Sequence, residues 1–556
     1  MAKIAGIQMQ VMWNRLISVV EEQAQTLIRT AFGAATREAG DLSAGVFLPD
    51  GRMIAQAVTG TPGHVNSMAE SVYHFLRAFP PGTMYPGDVF LTNDPWKSTG
   101  HLNDLTMVTP VFKGGRMVAL FASTVHIVDI GGIGLSADGT QIYHEGLFLP
   151  IVRLVSRGKM DDTLLAVVRA NVREPDQVEG DIYGLVACNE IGGRRLIAMM
   201  EEFALRDIVK LADHIIERSK AAMLAAVREW PRGTWHYDMT TDGYDAPIRL
   251  AAALTISNNG IDIDFTGTSG VVTNGINVPK SYTDAYTSFG VRCIIGPHIP
   301  NNAGSLGTVR VSAPEGTIVN ASYPLAVAAR SIIGQMLPDV VFGCLRQARA
   351  DKVPAEGSSA LWNLRLAGGQ TIKGIDPESI RGATRFNVNG FNTGGTGARP
   401  GKDGLAVTSF PSGVRNVAVE IMEALSPVVF WRKEFRPDSG GPGVYRGGLG
   451  QVMEIGNVEH APMIISATFD RIVHPARGAD GGHDGAKGRA SLRSGATLRG
   501  FGRQVIPAGD RVVLETPGGA GIGDPRQRPR EKLSEDLRDG LVSAEQAKTA
   551  YCLKKS

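Results

Sequence analysis

Apolar residues recur at helical spacing near the start of the chain. Met9, Met12, Leu16, Val19, Val20 and Leu27 predict a helix over residues 8–37. The pattern then shifts to short apolar runs bounded by turn residues. Residues 41–55 read as two strands joined at Pro49-Asp50-Gly51. A helix over 68–79, a strand over 88–92 and a polar loop over 93–96 follow. Residues 105–112 and 117–130 are Val- and Ile-rich, and Lys113-Gly114-Gly115-Arg116 between them predicts a hairpin. Residues 192–230 are helical in pattern, with a stripe of Leu205, Ile208, Val209, Ala212, Ile215 and Ile216 and a following Pro231. The period returns to β over 233–265, a helix is expected over 326–350, and a helical tail over 530–551 closes the chain. These elements predict an α+β protein with mixed β-sheets and flanking helices. Three regions are expected: an N-terminal α+β region (1–190), a middle helical and β region (191–355), and a Gly-rich, β-dominated region (356–556).

Composition narrows the function classes. Of 556 residues, 43% are hydrophobic and 20% charged, the range of folded soluble proteins. The net charge of +2, from 57 basic and 55 acidic side chains, argues against nucleic acid as a partner. The basic run at 526–532 reads as a solvated loop. Cys188, Cys293, Cys344 and Cys552 form no CxxC pair, which excludes a zinc-finger or disulfide framework and fits a reducing compartment. Lys3, Gln8, Gln10, Asn14 and Arg15 interrupt the N-terminal apolar positions, so no secretory segment is expected. No run approaches the roughly 18 apolar residues of a membrane span. The expectation is a cytoplasmic protein without a membrane or nucleic-acid partner.

The densest polar cluster is Asn93-Asp94-Pro95-Trp96-Lys97-Ser98-Thr99-Gly100-His101-Leu102-Asn103-Asp104. His101 and Asp104 stand three apart after a glycine, so both can face one point. His126, and then Asp129, lie on the following long strand. Two imidazoles and a carboxylate that converge can hold a divalent metal with open positions, and mixed N and O donors suit Zn, Mn or Fe. The same residues are also compatible with turn caps or core hydrogen bonds. Asp41 opens a strand in an apolar setting, where a buried carboxylate needs a partner, such as a metal or a turn N–H. His64 is a candidate pocket residue. Asp94, Asp129 and Glu145 are candidates for proton transfer. Clustered glycines at 131–139, 390–404, 440–450 and 518–523 mark tight turns or close backbone approach to a ligand, such as a phosphate, or to another chain. There is no GxxxxGK[ST], GxSxG or HExxH, and the Gly519–Gly523 glycines do not open a helix. An ATP site of the chain's own is therefore not expected.

Taken together, these segments resemble the hydantoinase B/oxoprolinase family over nearly the whole chain. The resemblance rests on Gly40-Asp41-Leu42-Ser43, Asp50-Gly51-Arg52, Pro62-Gly63-His64, Thr92-Asn93-Asp94-Pro95, Gly100-His101 with Asp104, and His126-Ile127-Val128-Asp129-Ile130-Gly131-Gly132. Asn171-Val172-Arg173-Glu174-Pro175, Asp264-Phe265-Thr266-Gly267-Thr268, Arg446-Gly447-Gly448-Leu449-Gly450 and Thr516-Pro517-Gly518-Gly519 extend it. One segment departs: Pro300-Asn301-Asn302-Ala303-Gly304 lacks the acidic residue that relatives often carry.

The resemblance implies a large multi-domain fold and a B-type subunit of an ATP-dependent cyclic amidase. It implies an actin-like A-type ATPase partner, with ATP and Mg there, that phosphorylates the carbonyl oxygen of a small-molecule hydantoin or lactam. It implies a hetero-oligomer, such as a heterotetramer, and a divalent metal at His101, Asp104 and His126, with Asp41 nearby. Two alternatives stand beside it: a subunit of a ketone carboxylase of the acetone or acetophenone type, and a non-catalytic scaffold for the ATPase subunit.

Overall fold

The computed structural model describes residues 6–370 and 375–553; Lys3 of the N-terminal reading lies outside them. The helix Gly6–Thr30 buries Met12, Leu16, Val19, Val20, Ala24 and Leu27, the apolar face read from the sequence. It does not run on to residue 37. The chain breaks at Phe32 and Gly33, whose N–H groups donate to Asp181 Oδ1 at 2.8 and 3.0 Å, and a short helix, Ala34–Arg37, follows.

A seven-stranded antiparallel sheet organises the N-terminal part. Its strands are β1 (Leu42–Phe47), β2 (Met53–Gln56), β3 (Val89–Thr92), β4 (Asp104–Lys113), β5 (Arg116–His126), β6 (Val152–Ser156) and β7 (Lys159–Met160), in spatial order β2-β1-β5-β4-β3-β6-β7. Helix Pro62–Ala78 packs on it and starts earlier than the apolar period suggested, with Pro62 in its first turn. The turn at Gly114 and Gly115, both at positive φ, closes the β4–β5 hairpin. Its register brings Asp104 directly opposite His126, at the far ends of both strands. β5 ends at His126, short of the residue 130 expected, although one more cross-strand bond in the same register, from Ile127 N to Asn103 O at 2.8 Å, follows it.

Helices Pro175–Glu202 and Val209–Arg228 replace the single helix expected over 192–230, and the first runs through residue 190. Leu205, placed in the expected stripe, lies in the break between them, where Ala204 has φ 51°. The strands expected over 233–265 form as Gly233–Thr241, Ile248–Ser257 and Gly260–Asp264, and Val309–Ser312 adds in parallel to make a four-stranded sheet. Helix Lys280–Ile294, whose buried face mixes Tyr282, Thr283, Tyr286 and Thr287, gave no apolar stripe to read.

Two more four-stranded sheets follow. One orders Phe386–Thr393, Leu361–Gly368, Met463–Thr468 and Phe501–Ile506. The other orders Val428–Phe435, Gln451–Asn457, Arg511–Glu515 and Arg489–Leu492. One large buried cluster, from Met223 through Trp362 to Leu514, unites the middle and C-terminal stretches. The tail forms helices Arg530–Arg538 and Ala544–Thr549. No helix among the described residues is long and apolar enough to cross a membrane.

Candidate metal centre

The β4–β5 register makes Asp104 and His126 cross-strand neighbours, and the 99–103 turn folds His101 back over them. Gly100, at φ 96°, allows that turn; an added Cβ would also lie 2.6 Å from Arg330 Cδ. Asp104 Oδ1 lies 2.7 Å from His101 Nε2 and 2.9 Å from His126 Nδ1. Candidate ligand atoms of these three buried residues fall within 4.8 Å of one another.

The other carboxylate oxygen is already satisfied. Asp104 Oδ2 accepts from Arg330 Nη2 at 2.6 Å and Thr99 Oγ1 at 2.7 Å, and His64 Nε2 lies 2.9 Å away. Burial opposes ionisation of Asp104, but His64 and the Arg330 guanidinium hold its carboxyl well below the usual carboxylate range. Burial and the Arg330 guanidinium push His101 down to about 3, so its ring is neutral. A neutral imidazole has one N–H, and Nδ1, 2.9 Å from Ala328 O, supplies it. Nε2 then presents a lone pair to an ionised carboxylate oxygen, an arrangement that a cation between them relieves. A backbone carbonyl fixing the outer ring nitrogen is also how metal-binding histidines are oriented. The donor set fits a divalent metal.

The remaining candidates fall elsewhere. Asp41 lines the same cavity beside His64, its Oδ1 3.5 Å from His64 Nδ1, outside the tight three-residue cluster. His64 is buried, and Asp104 and Asp41 raise its basicity against the effect of burial. Asp94 turns away: it accepts from Trp96 N at 3.0 Å and pairs with Lys97 Nζ at 2.7 Å. Asp129 pairs with Arg173 Nη1 at 2.6 Å and accepts from Gly131 N. Glu145 lies behind the centre. Its Oε1 accepts from Val327 N at 2.6 Å and Ala328 N at 2.8 Å, fixing the segment whose carbonyl orients His101. Burial, only partly opposed by those two N–H groups, pushes Glu145 up to about 8. These bonds also explain why residues 326–330 are not helical as expected; helix begins at Ser331–Gly334 and Leu337–Ala348. In the departing segment, Asn302 Oδ1 caps Ala303–Leu306 through Gly304 N and Ser305 N, and Asn302 Nδ2 donates to Ser219 Oγ at 2.7 Å.

The centre opens on a cavity of about 40 Å³, walled by Tyr282, Tyr286, Gln335, Asn363 and Phe391. A larger cavity of about 270 Å³ adjoins it, and His126, Leu135 and Arg365 line both. Arg330 and Arg365 were missed in the sequence. Their signal was a lone cation inside an apolar run, Ala326-Val-Ala-Ala-Arg330 and Leu361-Trp-Asn-Leu-Arg365-Leu. The glycine loops at 440–450 and 518–523 are not free to cradle a phosphate. Their N–H groups bond within their own layer, as in Gly519 N to Gly448 O at 3.0 Å and Gly441 N to Gly519 O at 2.8 Å.

Comparison with known proteins gives concordant results. The family model described as "Hydantoinase B/oxoprolinase" matches residues 5–525. The putative D-/L-hydantoinase B-type subunit of Pseudomonas sp. is 26% identical over 99% of this chain and 95% of its own length. The beta subunit of the Pseudomonas jessenii caprolactamase is 27% identical, covering 99% and 96%. The 5-oxoprolinase of Pestalotiopsis fici is 28% identical over 94% of this chain but only 42% of its own length. Among solved structures, the ATP-dependent caprolactamase from Pseudomonas jessenii superposes with a TM-score of 0.88 at 24% identity, covering 100% of this chain and 97% of that one. A nucleotide-free acetone carboxylase superposes with a TM-score of 0.81 at 18% identity, covering 98% and 79%.

Proposed function

The chain belongs to the hydantoinase B/oxoprolinase family, and we propose that it is the B-type subunit of an ATP-dependent cyclic amidase. An A-type ATPase subunit, holding ATP and Mg, phosphorylates the carbonyl oxygen of a hydantoin or lactam ring, and this chain completes the hydrolysis. The names of the hydantoinase, caprolactamase and oxoprolinase relatives support the substrate class. The observation that carries a catalytic role is Asp104 Oδ1 held between two imidazoles at 2.7 and 2.9 Å while Oδ2 is fully committed.

Resonance protects an amide carbonyl from water; phosphorylating its oxygen makes that oxygen a leaving group. His101, Asp104 and His126 are the residues that would hold a divalent metal such as Zn, Mn or Fe. Such a metal lowers the pKa of water towards roughly 7 and polarises an oxygen. Ala328 O fixes the His101 tautomer, and Thr99, His64 and Arg330 anchor Asp104. Glu145 is a positioning residue, since it reaches His101 only through the 327–328 backbone. His64 and Asp41 line the cavity beside the reacting group, and Tyr282, Tyr286 and Phe391 restrict access of bulk water.

The test combines this chain with its A-type partner, ATP, labelled bicarbonate and a panel of hydantoins, lactams and ketones. The expected product is an opened ring without label, abolished by His101→Ala in an assembly that still forms. A ketone-derived product carrying the label would make the chain a carboxylase subunit instead. Full turnover by His101→Ala would favour a scaffold.

A further inference from the structure

Arg365 is a half-buried cation without a counter-ion, its Nε fully enclosed. It projects from strand Leu361–Gly368 on the face opposite Trp362, Leu364 and Leu366, which are core residues. Its Nη1 donates to Leu135 O, its Nε is buried with no partner, and no carboxylate among the described residues ion-pairs with it. Burial alone pushes its guanidinium well below the usual range. Arginine stays charged in proteins, and buried charges are normally paired. Two further guanidinium groups line the same cavity, Arg173 and Arg503. Arg503 Nη2 donates to Ile133 O; Arg173 pairs with Asp129, and Asp138 lies near Arg503, its Oδ2 accepting from Arg503 N at 3.0 Å, whereas Arg365 has neither. Asn389, directly across the ladder from Arg365, also carries a buried amide oxygen with no partner; turned over, that amide donates. The wall is thus cationic and rich in donors. It adjoins the metal centre through His126, which lines both cavities.

We propose that this cavity is a binding site for a phosphoryl oxyanion, with Arg365 its principal ligand and Arg503 and Asn389 completing it. The inference rests on the cyclic-amidase reading for its source: the phosphoryl group of the activated ring, seated so that its carbon faces His126. Free inorganic phosphate, the other source, has the same chemistry. A purely structural role, clamping the carbonyls of residues 131–135, accounts for one N–H of Arg365 and leaves Nε and the charge unexplained.

Stability separates the two. A clamp destabilises when removed. An unpaired half-buried cation kept for a ligand destabilises the empty fold, so an apolar replacement of similar length raises stability. The full chain and its Arg365→Met variant are melted with and without inorganic phosphate. The expected result is a higher Tm for the variant without phosphate, and a phosphate-dependent rise in Tm for the wild type that the variant loses. Both chains keep His101, Asp104 and His126, so phosphate on a bound metal contributes equally and drops out. In the complex with the A-type partner, Arg365→Met is expected to keep consuming ATP while ring opening falls at least tenfold, and Arg365→Lys to recover part of it. Loss of the phosphate response with unchanged coupling would assign the site to free phosphate. A lower Tm for the variant together with equal phosphate responses would overturn the oxyanion site and leave the clamp. The two readings fail separately: a label-carrying ketone product sinks the amidase without touching phosphate binding, and full coupling in Arg365→Met with inactive His101→Ala sinks only the phosphoryl seat.

Discussion

The candidate metal centre and the C-terminal glycine layer are both buried, and they use glycine in opposite ways. At the centre, glycine serves side chains: Gly100 supplies one turn at positive φ so that His101, Asp104 and His126 meet. In the layer, the glycines that matter most have ordinary φ and serve backbone. A Cβ on Gly518 would lie 1.7 Å from Ser439 O, on Gly395 1.8 Å from Gly448 O, and on Gly447 1.9 Å from Gly519 O. Strands of main chain interlock there, each N–H meeting a carbonyl of the next segment, as in Gly395 N to Pro517 O and Gly448 N to Thr396 O. A glycine-rich motif is therefore not in itself a ligand loop. Where backbone N–H groups are consumed by neighbouring backbone, the motif is a packing device.

The largest effect is expected in the layer. Gly518→Ala forces a methyl into a backbone carbonyl that cannot rotate away, and should destabilise by about 3 kcal/mol or more. Soluble yield and denaturant unfolding check this; near-normal stability would mean that the layer is loosely packed. His101→Ala is next: stability and assembly should persist while ring opening falls to background, separating chemistry from packing.

Glu145 distinguishes support from chemistry at the centre. Glu145→Gln keeps an oxygen for Val327 N and Ala328 N, so activity should stay within a few-fold. Glu145→Ala frees that segment and should lower activity or metal affinity by roughly 10–100-fold, as for other groups that orient metal ligands. Near-complete loss in the Gln variant would instead mark Glu145 as a proton-transfer group. The same pair carries a pH signature. The folded chain holds a proton on Glu145 up to about 8, whereas a free carboxyl releases it at 4.5. Between those values the folded state binds more protons, so stability falls as pH rises, by up to about 1.4 kcal/mol per pH unit. Glu145→Gln lacks this loss. Unfolding curves should show its advantage over the wild type growing from pH 5 to pH 8. The smallest effect is expected at Asp94→Asn, whose carboxylate caps Trp96 N and pairs with the half-exposed Lys97. About 1 kcal/mol of stability and little activity are expected to be lost.

Much of the fold was legible because its signals were local. The helical stripe from Met12 to Leu27 and the Gly114-Gly115 turn each need only neighbouring residues. That turn sets the hairpin but not the pairing at the centre: a register shift between Val111 and Phe112 puts Asp104 opposite His126, where plain counting from Lys113 and Arg116 gives Val125. The break at Phe32 was not legible, because it depends on Asp181, 149 positions away. Arg330 and Arg365 were hidden for the same reason: their partners Asp104 and Leu135 lie 226 and 230 positions distant. Glycine clusters were visible, but whether their N–H groups faced a ligand or each other depended on segments more than a hundred residues apart, such as Gly395 and Pro517.

Ring opening by this chain depends, on the proposed reading, on a divalent metal held by His101, Asp104 and His126. Elemental analysis of the purified chain, beside folded His101→Ala and His126→Ala variants, is the decisive measurement. The expected result is one transition-metal ion per wild-type chain and its loss from both variants. Equal metal content in all three, or ring opening by a wild-type chain stripped of metal, would contradict it.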